Sequence, residues 1–309
     1  MSDFPFNLIT VLGPTATGKT RFAAKLAGRL NGEIISADSR QVYRFMDIGT
    51  GKDYNDYIVD GRTITVHLID IVEPGYEYNV YEYQSDFIRV FNELLSSGKL
   101  PILCGGSGLY LEAVLRGYRL INVPVNNQLR NTLEKKSLQE LTDLLKSLKS
   151  IHNITDLVTR KRLVRAIEIE SYYLENPEIK KDYPDLNPFI IGIYCDRDSR
   201  RERITARLKE RLEKGMIDEV ARLIKGGISF DKMIYYGLEY KYIAQYLKGD
   251  LEYDEMFANL NIAIHQFAKR QMTWFRRMER NGIKIHWLDA NLPDEQKLEM
   301  TCELLKASE

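Results

Sequence analysis

The sequence is poor in cysteine and has no excess of either charge. Only three cysteines, Cys104, Cys195 and Cys302, occur among 309 residues, and their spacing fits neither a metal site nor a disulfide framework. They are therefore expected to be reduced, as in a reducing compartment. Lysine plus arginine number 44, as do aspartate plus glutamate. Net charge by itself thus indicates neither nucleic acid nor a membrane as a partner.

Long apolar runs are also missing. No stretch approaches the length that a membrane-spanning helix needs. The N-terminal letters MSDFPFNLITVLG have no basic region before their apolar part and no small-residue cleavage site after it, which favours a first strand over a signal peptide. There is no internal repeat and no low-complexity tract. With 44% hydrophobic and 28% charged residues, the composition predicts a globular, cytoplasmic protein that does not enter a membrane.

Strand-like runs alternate with helical stretches over much of the chain. Six runs are strand candidates: residues 7–13, 32–38, 65–71, 100–106, 189–195 and 283–288. The first two flank a helical stretch at 18–30 in which Phe22, Leu26 and Leu30 share one face. Another helix is expected at about 79–97. The pattern predicts an α/β fold, namely a P-loop-containing, doubly wound parallel sheet.

Residues 120–186 depart from this alternation, because they are polar and helical without a strand run. They predict a helical insertion domain in a catalytic core made of residues 1–119 and 187–309. The stretch 198–280 also has a helical pattern, with breaks expected near Gly226 and Gly249.

The letters GPTATGKT fit the pattern G-x-x-x-x-G-K-T between a predicted strand and a predicted helix. Backbone N–H groups of such a loop, with the positive end of the following helix, bind phosphate. The lysine adds a point charge, and the final hydroxyl can ligate Mg²⁺. The predicted phosphate-binding residues are Gly13, Pro14, Thr15, Ala16, Thr17, Gly18, Lys19 and Thr20. The pattern does not identify the molecule that carries the phosphate.

Asp38 follows the second strand candidate, where α/β folds place functional groups. Its local sequence leaves two interpretations open. The carboxylate either acts at the phosphate site or caps the next helix.

Five stretches carry a family resemblance: GPTATGKT (13–20), DSRQVYRFMDIGTGK (38–52), HLIDIVEP (67–74), PILCGGSGLYL (101–111) and AKRQMTWFRR (268–277). In this order they resemble the tRNA dimethylallyltransferases, also called tRNA isopentenyltransferases. The resemblance covers nearly the whole chain, and the combination is far more specific than any single stretch. No Cys₂His₂ pattern follows residue 290, which is typical of the bacterial type.

The resemblance implies transfer of a dimethylallyl group from dimethylallyl diphosphate to the exocyclic N6 amine of an adenine, with release of diphosphate. That adenine lies immediately 3′ of the anticodon in tRNAs that read codons beginning with U. The expected partners are the anticodon stem-loop of tRNA and dimethylallyl diphosphate, the expected cofactor is Mg²⁺, and the expected state is a monomer.

Catalytic roles follow from the same resemblance. Lys19, the loop amides and Mg²⁺ held through Thr20 would neutralise the departing diphosphate. Asp38 would take the proton from the adenine amine, a poor nucleophile whose lone pair is delocalised into the ring. Arg197 aligns with a family arginine that helps to hold the diphosphate.

The matching family stretches also imply contacts with tRNA. Asp38, Ser39, Arg40 and Gln41 would contact the target base, which must leave the anticodon stack, and Gln41 could read it through a bidentate amide pair. Ser107, where the family usually has threonine, is a further tRNA candidate, with a helix N-cap as the alternative.

A basic segment in the insertion, TRKRLVRAIEI (159–169), matches the family segment that grips the anticodon stem through phosphate contacts. The tRNA candidates there are Lys161, Arg162, Leu163, Val164 and Arg165, with Arg130 as one more. A solvated helix face remains the alternative interpretation.

Two other helical faces are interpreted as structural. Arg203, Arg207 and Arg211 are spaced as a solvated face of one helix. A second stripe is predicted to be core; it comprises Ile264, Phe267, Gln271, Trp274 and Met278.

One segment departs from the family pattern. After Gly237 the family usually has an aromatic and a basic residue, whereas this chain has Leu238 and Glu239. Two alternative functions stay open from the sequence: a prenyltransferase that acts on free adenine nucleotides, and a P-loop kinase or NTPase.

Overall fold

The computed structural model describes residues 5–148, 159–178 and 183–308. The chain divides into two compact units, Met1–Tyr118 with Pro184–Glu309, and Arg119–Tyr183. We call them the sheet unit and the helical unit.

A six-stranded sheet forms the centre of the sheet unit. Its strands are β1 (Leu8–Leu12), β2 (Gly32–Ala37), β5 (Val66–His67), β6 (Leu100–Gly105), β7 (Pro188–Tyr194) and β8 (His286–Asp289). The spatial order is β5-β2-β6-β1-β7-β8, and every neighbouring pair is parallel. The predicted α/β parallel sheet is therefore confirmed. A small antiparallel hairpin, β3 (Ile58–Val59) with β4 (Arg62–Thr63), lies outside it.

Helices cover both faces of this sheet. In chain order they are α1 (Lys19–Arg29), α2 (Val80–Ser96), α3 (Gly108–Leu115), α7 (Arg197–Glu213), α8 (Met216–Lys225), α9 (Phe230–Tyr236), α10 (Leu238–Lys248), α11 (Tyr253–Arg280) and α12 (Asp294–Lys306). None of the described helices is both long enough and apolar enough to cross a bilayer.

Side chains of β1 alternate between two apolar clusters. Leu8 and Leu12 join one cluster, while Ile9 and Val11 join the other, and all four are fully buried. Such continuous apolar strands are typical of parallel sheets covered on both faces. In α1, Phe22 packs into the second cluster, so the face predicted from its spacing is the buried one.

Two predicted strands are shorter than their apolar runs. The run at 65–71 pairs only at Val66–His67, because Leu68 and Asp70 have left-handed φ angles of 63° and 56° that are incompatible with an extended strand. The run at 283–288 begins to pair at His286. The stretch 198–280 has the expected breaks and two further ones, at Gly215 and Gly237.

The described residues of the helical unit form α4 (Asn127–Glu134), α5 (Leu138–Leu148) and α6 (Arg160–Glu175), with no strand among them. Six buried residues make its own small core: Leu133, Leu141, Leu145, Leu163, Ala166 and Ile167. Residues 149–158 and 179–182 of the predicted insertion lie outside the described part of the chain.

Candidate active site

A cleft of about 1360 Å³ opens in the sheet unit where β1, β2 and β6 end. Parallel α/β sheets bind ligands at this carboxyl edge. The lining comes from the phosphate loop, the segments after β2 and β6, and helices α7, α9, α10 and α11. A pocket for one small molecule usually spans about 300–1000 Å³. This cleft is large enough for two ligands, or for one ligand and part of a macromolecule.

The phosphate loop joins β1 to α1 and lines this cleft. Gly18 has a left-handed φ of 75°, a conformation that glycine adopts without steric cost, and α1 begins at the next residue. The Thr17 hydroxyl donates to the Pro14 carbonyl oxygen at 3.0 Å and ties the loop across its own turn. Lys19 Nζ lies 3.5 Å from the same carbonyl oxygen. These contacts fix the loop between β1 and α1, the position at which P-loops bind phosphate, and phosphate binding stays a prediction.

Burial shapes the electrostatics around Lys19. Desolvation lowers the pKa of its ammonium, and the nearby thiol of Cys104 and carboxylate of Asp38 oppose this effect. Cys104 lies at the end of β6, and burial raises the pKa of its thiol to about 12. Cys104 is thus a neutral wall of the cleft, and Lys19 is a desolvated cation beside a carboxylate.

Thr20 is the one residue that the sequence predicts as a metal ligand, and it lines the cleft next to Lys19. Within the described part of the chain, no group of three or more His, Cys, Asp or Glu side chains could hold a metal ion. Magnesium bound by phosphate oxygens, water and a single protein hydroxyl needs no such group. The hydroxyl of Thr20 fits that mode of binding.

Asp38 follows β2 directly and lines the cleft. Its Oδ1 accepts a hydrogen bond from the Arg40 N–H at 2.9 Å and closes a turn. The predicted helix cap is wrong, because no helix begins within residues 39–53. Of the two interpretations left open by the sequence, the role at the phosphate site stays a prediction, and the turn fixes the carboxylate at the edge of the cleft.

Ser39 and Ser107 are joined across the cleft floor. Ser107 Oγ accepts from the Ser39 N–H at 3.0 Å and lies 3.3 Å from Ser39 Oγ. Ser107 does hold the N-cap position of α3, but its side chain makes no capping hydrogen bond. Its hydroxyl therefore holds the Asp38 segment instead.

Arg40 and Gln41 differ in what they can offer a base. The Arg40 guanidinium lies over the Tyr235 ring, 5.2 Å from its centroid, and lines the cleft. Gln41 is buried, and its Nε2 donates to the Gly51 carbonyl oxygen at 3.0 Å while its Oε1 accepts from Ser36 at 3.4 Å. Gln41 lines the cleft, but both ends of its amide are engaged within the protein, so a bidentate base contact would have to replace these bonds. The base contact stays a prediction.

The structure does not bring Arg197 to the cleft. This exposed residue opens α7, whereas Arg207 lies ten residues later, about 15 Å along a helix. Arg207 Nη1 lies 3.5 Å from Thr15 Oγ1 of the phosphate loop, and its Nη2 donates to Asp53 at 3.0 Å. Arg211 lines the same cleft. The predicted solvated face of α7 is therefore wrong for these two arginines, and their i, i+4 spacing was the available signal.

Two buried polar side chains that the sequence did not assign to the site hold its loops in place. Gln271 of α11 accepts from the Thr15 N–H and donates to the Gly106 carbonyl oxygen, both at 2.9 Å, and so joins the phosphate loop to the segment after β6. Glu219 of α8 is buried and accepts from three successive backbone N–H groups, those of Asp47, Ile48 and Gly49, at 2.7–3.0 Å.

The stripe on α11 is only partly core. Phe267 is 40% exposed and lines the cleft, together with the exposed Leu109 and Ile234. Trp274 packs against Gly108, where an added Cβ would lie 2.5 Å from the indole. Exposed apolar side chains inside a cleft are suited to an apolar ligand or a nucleobase.

In the helical unit, two predicted tRNA contacts are already paired. Arg130 Nη2 donates to Glu168 at 2.8 Å, and Arg165 also donates to this carboxylate, which is 1% exposed. Burial opposes ionisation, but the bonds from Arg130, the Asn126 N–H and Arg165 lower the pKa of Glu168 to about 2. Arg130 and Arg165 thus neutralise an internal charge.

The remaining tRNA-contact candidates of the helical unit differ in how far their side chains are exposed to solvent. Leu163 is fully buried in the core of the unit, which contradicts its predicted contact with tRNA. Val164 is half-buried and packs on that core. Lys161 and Arg162 are exposed at the start of α6.

Comparisons with known proteins identify the family of the chain. A family model described as IPP transferase matches residues 41–278. The chain is 60% identical over 301 residues to tRNA dimethylallyltransferase 2 of Bacteroides fragilis, covering 97% of this chain and 98% of that protein. It is 57% identical over 300 residues to tRNA dimethylallyltransferase 1 of Parabacteroides distasonis, with the same two coverages of 97% and 98%.

Solved structures extend the likeness to three dimensions. The full-length tRNA isopentenylpyrophosphate transferase of Bacillus halodurans superposes with a TM-score of 0.72 at 32% identity, covering 97% of this chain and 96% of that one. A eukaryotic dimethylallyltransferase acting on tRNA gives a TM-score of 0.77 at 20% identity, covering 98% and 80%. The second likeness concerns the fold alone.

Proposed function

Because the chain belongs to the IPP transferase family, whose members include the tRNA dimethylallyltransferases, we propose how its own residues carry out that family's reaction. The enzyme is a transferase that prenylates tRNA. We propose dimethylallyl diphosphate as the donor. We propose as the acceptor atom the N6 amine of the adenine immediately 3′ of the anticodon, in tRNAs that read codons beginning with U.

The observation that carries this proposal is the meeting of three groups in one cleft: the phosphate loop, the Asp38 carboxylate and exposed apolar side chains. The loop N–H groups, Lys19 and Arg207 would bind the diphosphate, in place of the predicted Arg197. The apolar side chains, among them Phe267, would face the dimethylallyl group or the base. Magnesium held through Thr20 would supply further positive charge to the phosphate oxygens.

The reaction replaces one bond to the allylic carbon with another. The C–O bond to the diphosphate breaks, its electron pair leaves with the diphosphate, and Lys19 and Arg207 stabilise the added negative charge. The adenine N6 forms the new C–N bond and loses a proton. Asp38 accepts that proton, because the turn with Arg40 fixes its carboxylate at the cleft edge.

A direct assay tests the proposal. The protein is incubated with unmodified tRNA, dimethylallyl diphosphate and Mg²⁺, and the tRNA is then digested for nucleoside analysis. We expect prenylated adenosine from the wild type. Asp38→Asn should lower turnover by about 10²- to 10⁴-fold while tRNA affinity is retained, because a positioned general base contributes about that factor.

The same assay separates the alternatives. ATP hydrolysis without prenylated adenosine would favour the kinase or NTPase interpretation and overturn ours. Preferential transfer to AMP would favour a free nucleotide as the acceptor. Near-normal turnover by Asp38→Asn would remove Asp38 from the mechanism. The monomeric state and the cytoplasmic location stay predictions of the sequence.

A further inference from the structure

Arg211 is the most buried cation of α7 beside the phosphate loop. Its side chain is 12% exposed, and its buried Nη2 has no hydrogen-bond partner among the described residues. Asp53 Oδ2 lies 3.7 Å from that nitrogen, beyond hydrogen-bond range. A buried guanidinium nitrogen without a partner is costly, so its retention calls for a ligand or another reason.

The position of Arg211 indicates which ligand it could meet. A cavity of about 20 Å³ lies between the phosphate loop and α7, and Thr15, Arg207, Arg211 and Glu239 all line it. A space of that size holds about one water molecule and no diphosphate, so it shows only that these groups lie close together. Arg207 and Arg211 also line the large cleft beside Lys19, where a diphosphate fits. Arg207 already approaches the loop hydroxyl of Thr15 at 3.5 Å.

Gly51, in the loop after β2, has no side chain, and the Arg211 guanidinium occupies the space where one would lie. A Cβ added to Gly51 would lie 1.8 Å from Arg211 Nη2, and Gly51 has a φ of 73°. A side chain at residue 51 would thus collide with the guanidinium. The Arg211 guanidinium therefore packs directly against the backbone of the loop after β2.

Two carboxylates balance this cation. Glu239 lines the same cavity, and burial raises the pKa of its carboxyl while the charges of Arg211 and Arg207 oppose that effect. Burial, and then the neighbouring charge of Arg207, lower the pKa of Arg211 to about 10, which leaves it charged at neutral pH. The result is a compact set of two guanidiniums and two carboxylates, Glu239 and Asp53.

We propose that Arg211 is a second guanidinium for the donor's diphosphate, held beside Arg207 by Glu239 and Asp53 until the anion binds. Guanidinium groups bind phosphate oxygens through charge-assisted hydrogen bonds, which are stronger than neutral ones. The diphosphate would lie in the large cleft, which Arg211 lines, and would accept from the Arg211 guanidinium there. This inference rests on the proposed function, because it assigns a ligand to the same cleft.

Arg211→Met tests the proposal, because it removes the charge and keeps most of the side-chain volume. Binding of inorganic diphosphate in the presence of Mg²⁺ is measured by calorimetry. We expect affinity to fall by about 10- to 100-fold, the range of a charge-assisted hydrogen bond. Arg211→Lys, which keeps the charge, should lose less affinity for diphosphate than Arg211→Met. Arg201→Met is the matched control, since Arg201 is exposed on the same helix outside the cleft, and it should bind diphosphate like the wild type.

A double variant excludes a purely structural role. If Arg211 only neutralises Glu239, then Arg211→Met with Glu239→Gln should recover both thermal stability and diphosphate affinity. Our proposal expects stability to recover and affinity to stay low. Wild-type affinity in Arg211→Met or in the double variant would overturn the role of Arg211. A wild-type protein that binds no diphosphate would instead contradict the donor assignment itself.

Discussion

Lys19 illustrates, for a single residue, the conflict between stability and binding. Its ammonium is desolvated, and its pKa is lowered by burial although a thiol and a carboxylate lie nearby. Arg207 and Arg211 add repulsion from the side of α7. A site that must neutralise a diphosphate therefore holds three cations close together before any anion is present. Such an arrangement favours the bound state over the empty one.

We therefore expect Lys19→Met to stabilise the protein without ligand and to disable it with ligand. The folded-state pKa lies below the unfolded value, so between them the unfolded chain binds more protons and stability rises with pH. Lys19→Met should remove this rise, which lies below pH 10.5, and increase the unfolding free energy at pH 7. Prenyl transfer should fall by about 10²- to 10³-fold, as when one charge-stabilising donor is lost.

Urea unfolding at pH 7 and pH 9, together with the tRNA assay, measures both effects. Lys209→Met is the control, because Lys209 is exposed on α7 outside the cleft. A less stable Lys19→Met protein would show that the lysine is satisfied in the empty cleft, contrary to our account.

The arginines of α7 mark how far residues of the site can be predicted from sequence. The phosphate loop was predictable because its chemistry lies in eight consecutive residues. The choice among Arg197, Arg207 and Arg211 was not, since it depends on where α7 meets the sheet, which is set by packing of Ile204 and Leu208. The internal hydrogen bonds of Gln41 could not be predicted for a related reason, because its partner Gly51 comes from a loop whose path the sequence does not reveal.

At the level of elements, side chains of α8 and α11 form hydrogen bonds with the loops that follow β1, β2 and β6. Glu219 binds three backbone N–H groups after β2, and the Tyr240 hydroxyl donates to it at 2.7 Å. Gln271 bridges the phosphate loop and the segment after β6. The strands and these loops could be predicted from local pattern. The buttressing residues could not, since their partners lie more than 150 residues away in the chain.

Because Gln271 joins the phosphate loop to the segment after β6, its replacement should lower stability and weaken donor binding together. Gln271→Met preserves volume and apolar packing but leaves the Thr15 N–H and the Gly106 carbonyl oxygen without this partner. We expect a loss of about 1–3 kcal/mol in unfolding free energy, the cost of unsatisfied buried polar groups. The KM for dimethylallyl diphosphate should rise as well, because the phosphate loop is less well ordered.

Urea unfolding and steady-state kinetics test this coupling. Gln266→Met is the control, as Gln266 is exposed on the same helix. An unchanged donor KM in a clearly destabilised Gln271→Met protein would show that Gln271 stabilises the fold without ordering the phosphate loop.

For the molecule as a whole, attraction of tRNA must come from local charge. The chain carries 44 basic and 44 acidic residues, so no net charge draws a polyanion to it. Several basic side chains are also engaged internally, as Arg130 and Arg165 are with Glu168. Lys161 and Arg162 are exposed at the N-terminal end of α6, where the resemblance predicts contact with the anticodon stem.

The salt dependence of tRNA binding tests whether the exposed basic residues of α6 contact tRNA. If Lys161 and Arg162 each contact a phosphate, Lys161→Ala with Arg162→Ala should reduce the slope of log affinity against log salt by about 2, at ~0.9 per contact, and weaken binding most at low salt. Lys225→Ala with Lys306→Ala, an exposed pair in the sheet unit, should leave the slope unchanged. Fluorescence anisotropy with an anticodon stem-loop over a salt series measures both slopes.

An equal reduction of the slope in the two double variants would mean that tRNA binding depends on overall charge. An unchanged slope in Lys161→Ala with Arg162→Ala would remove these two residues from the tRNA interface. Only a loss confined to the first variant fits a neutral protein that binds tRNA through a local basic surface.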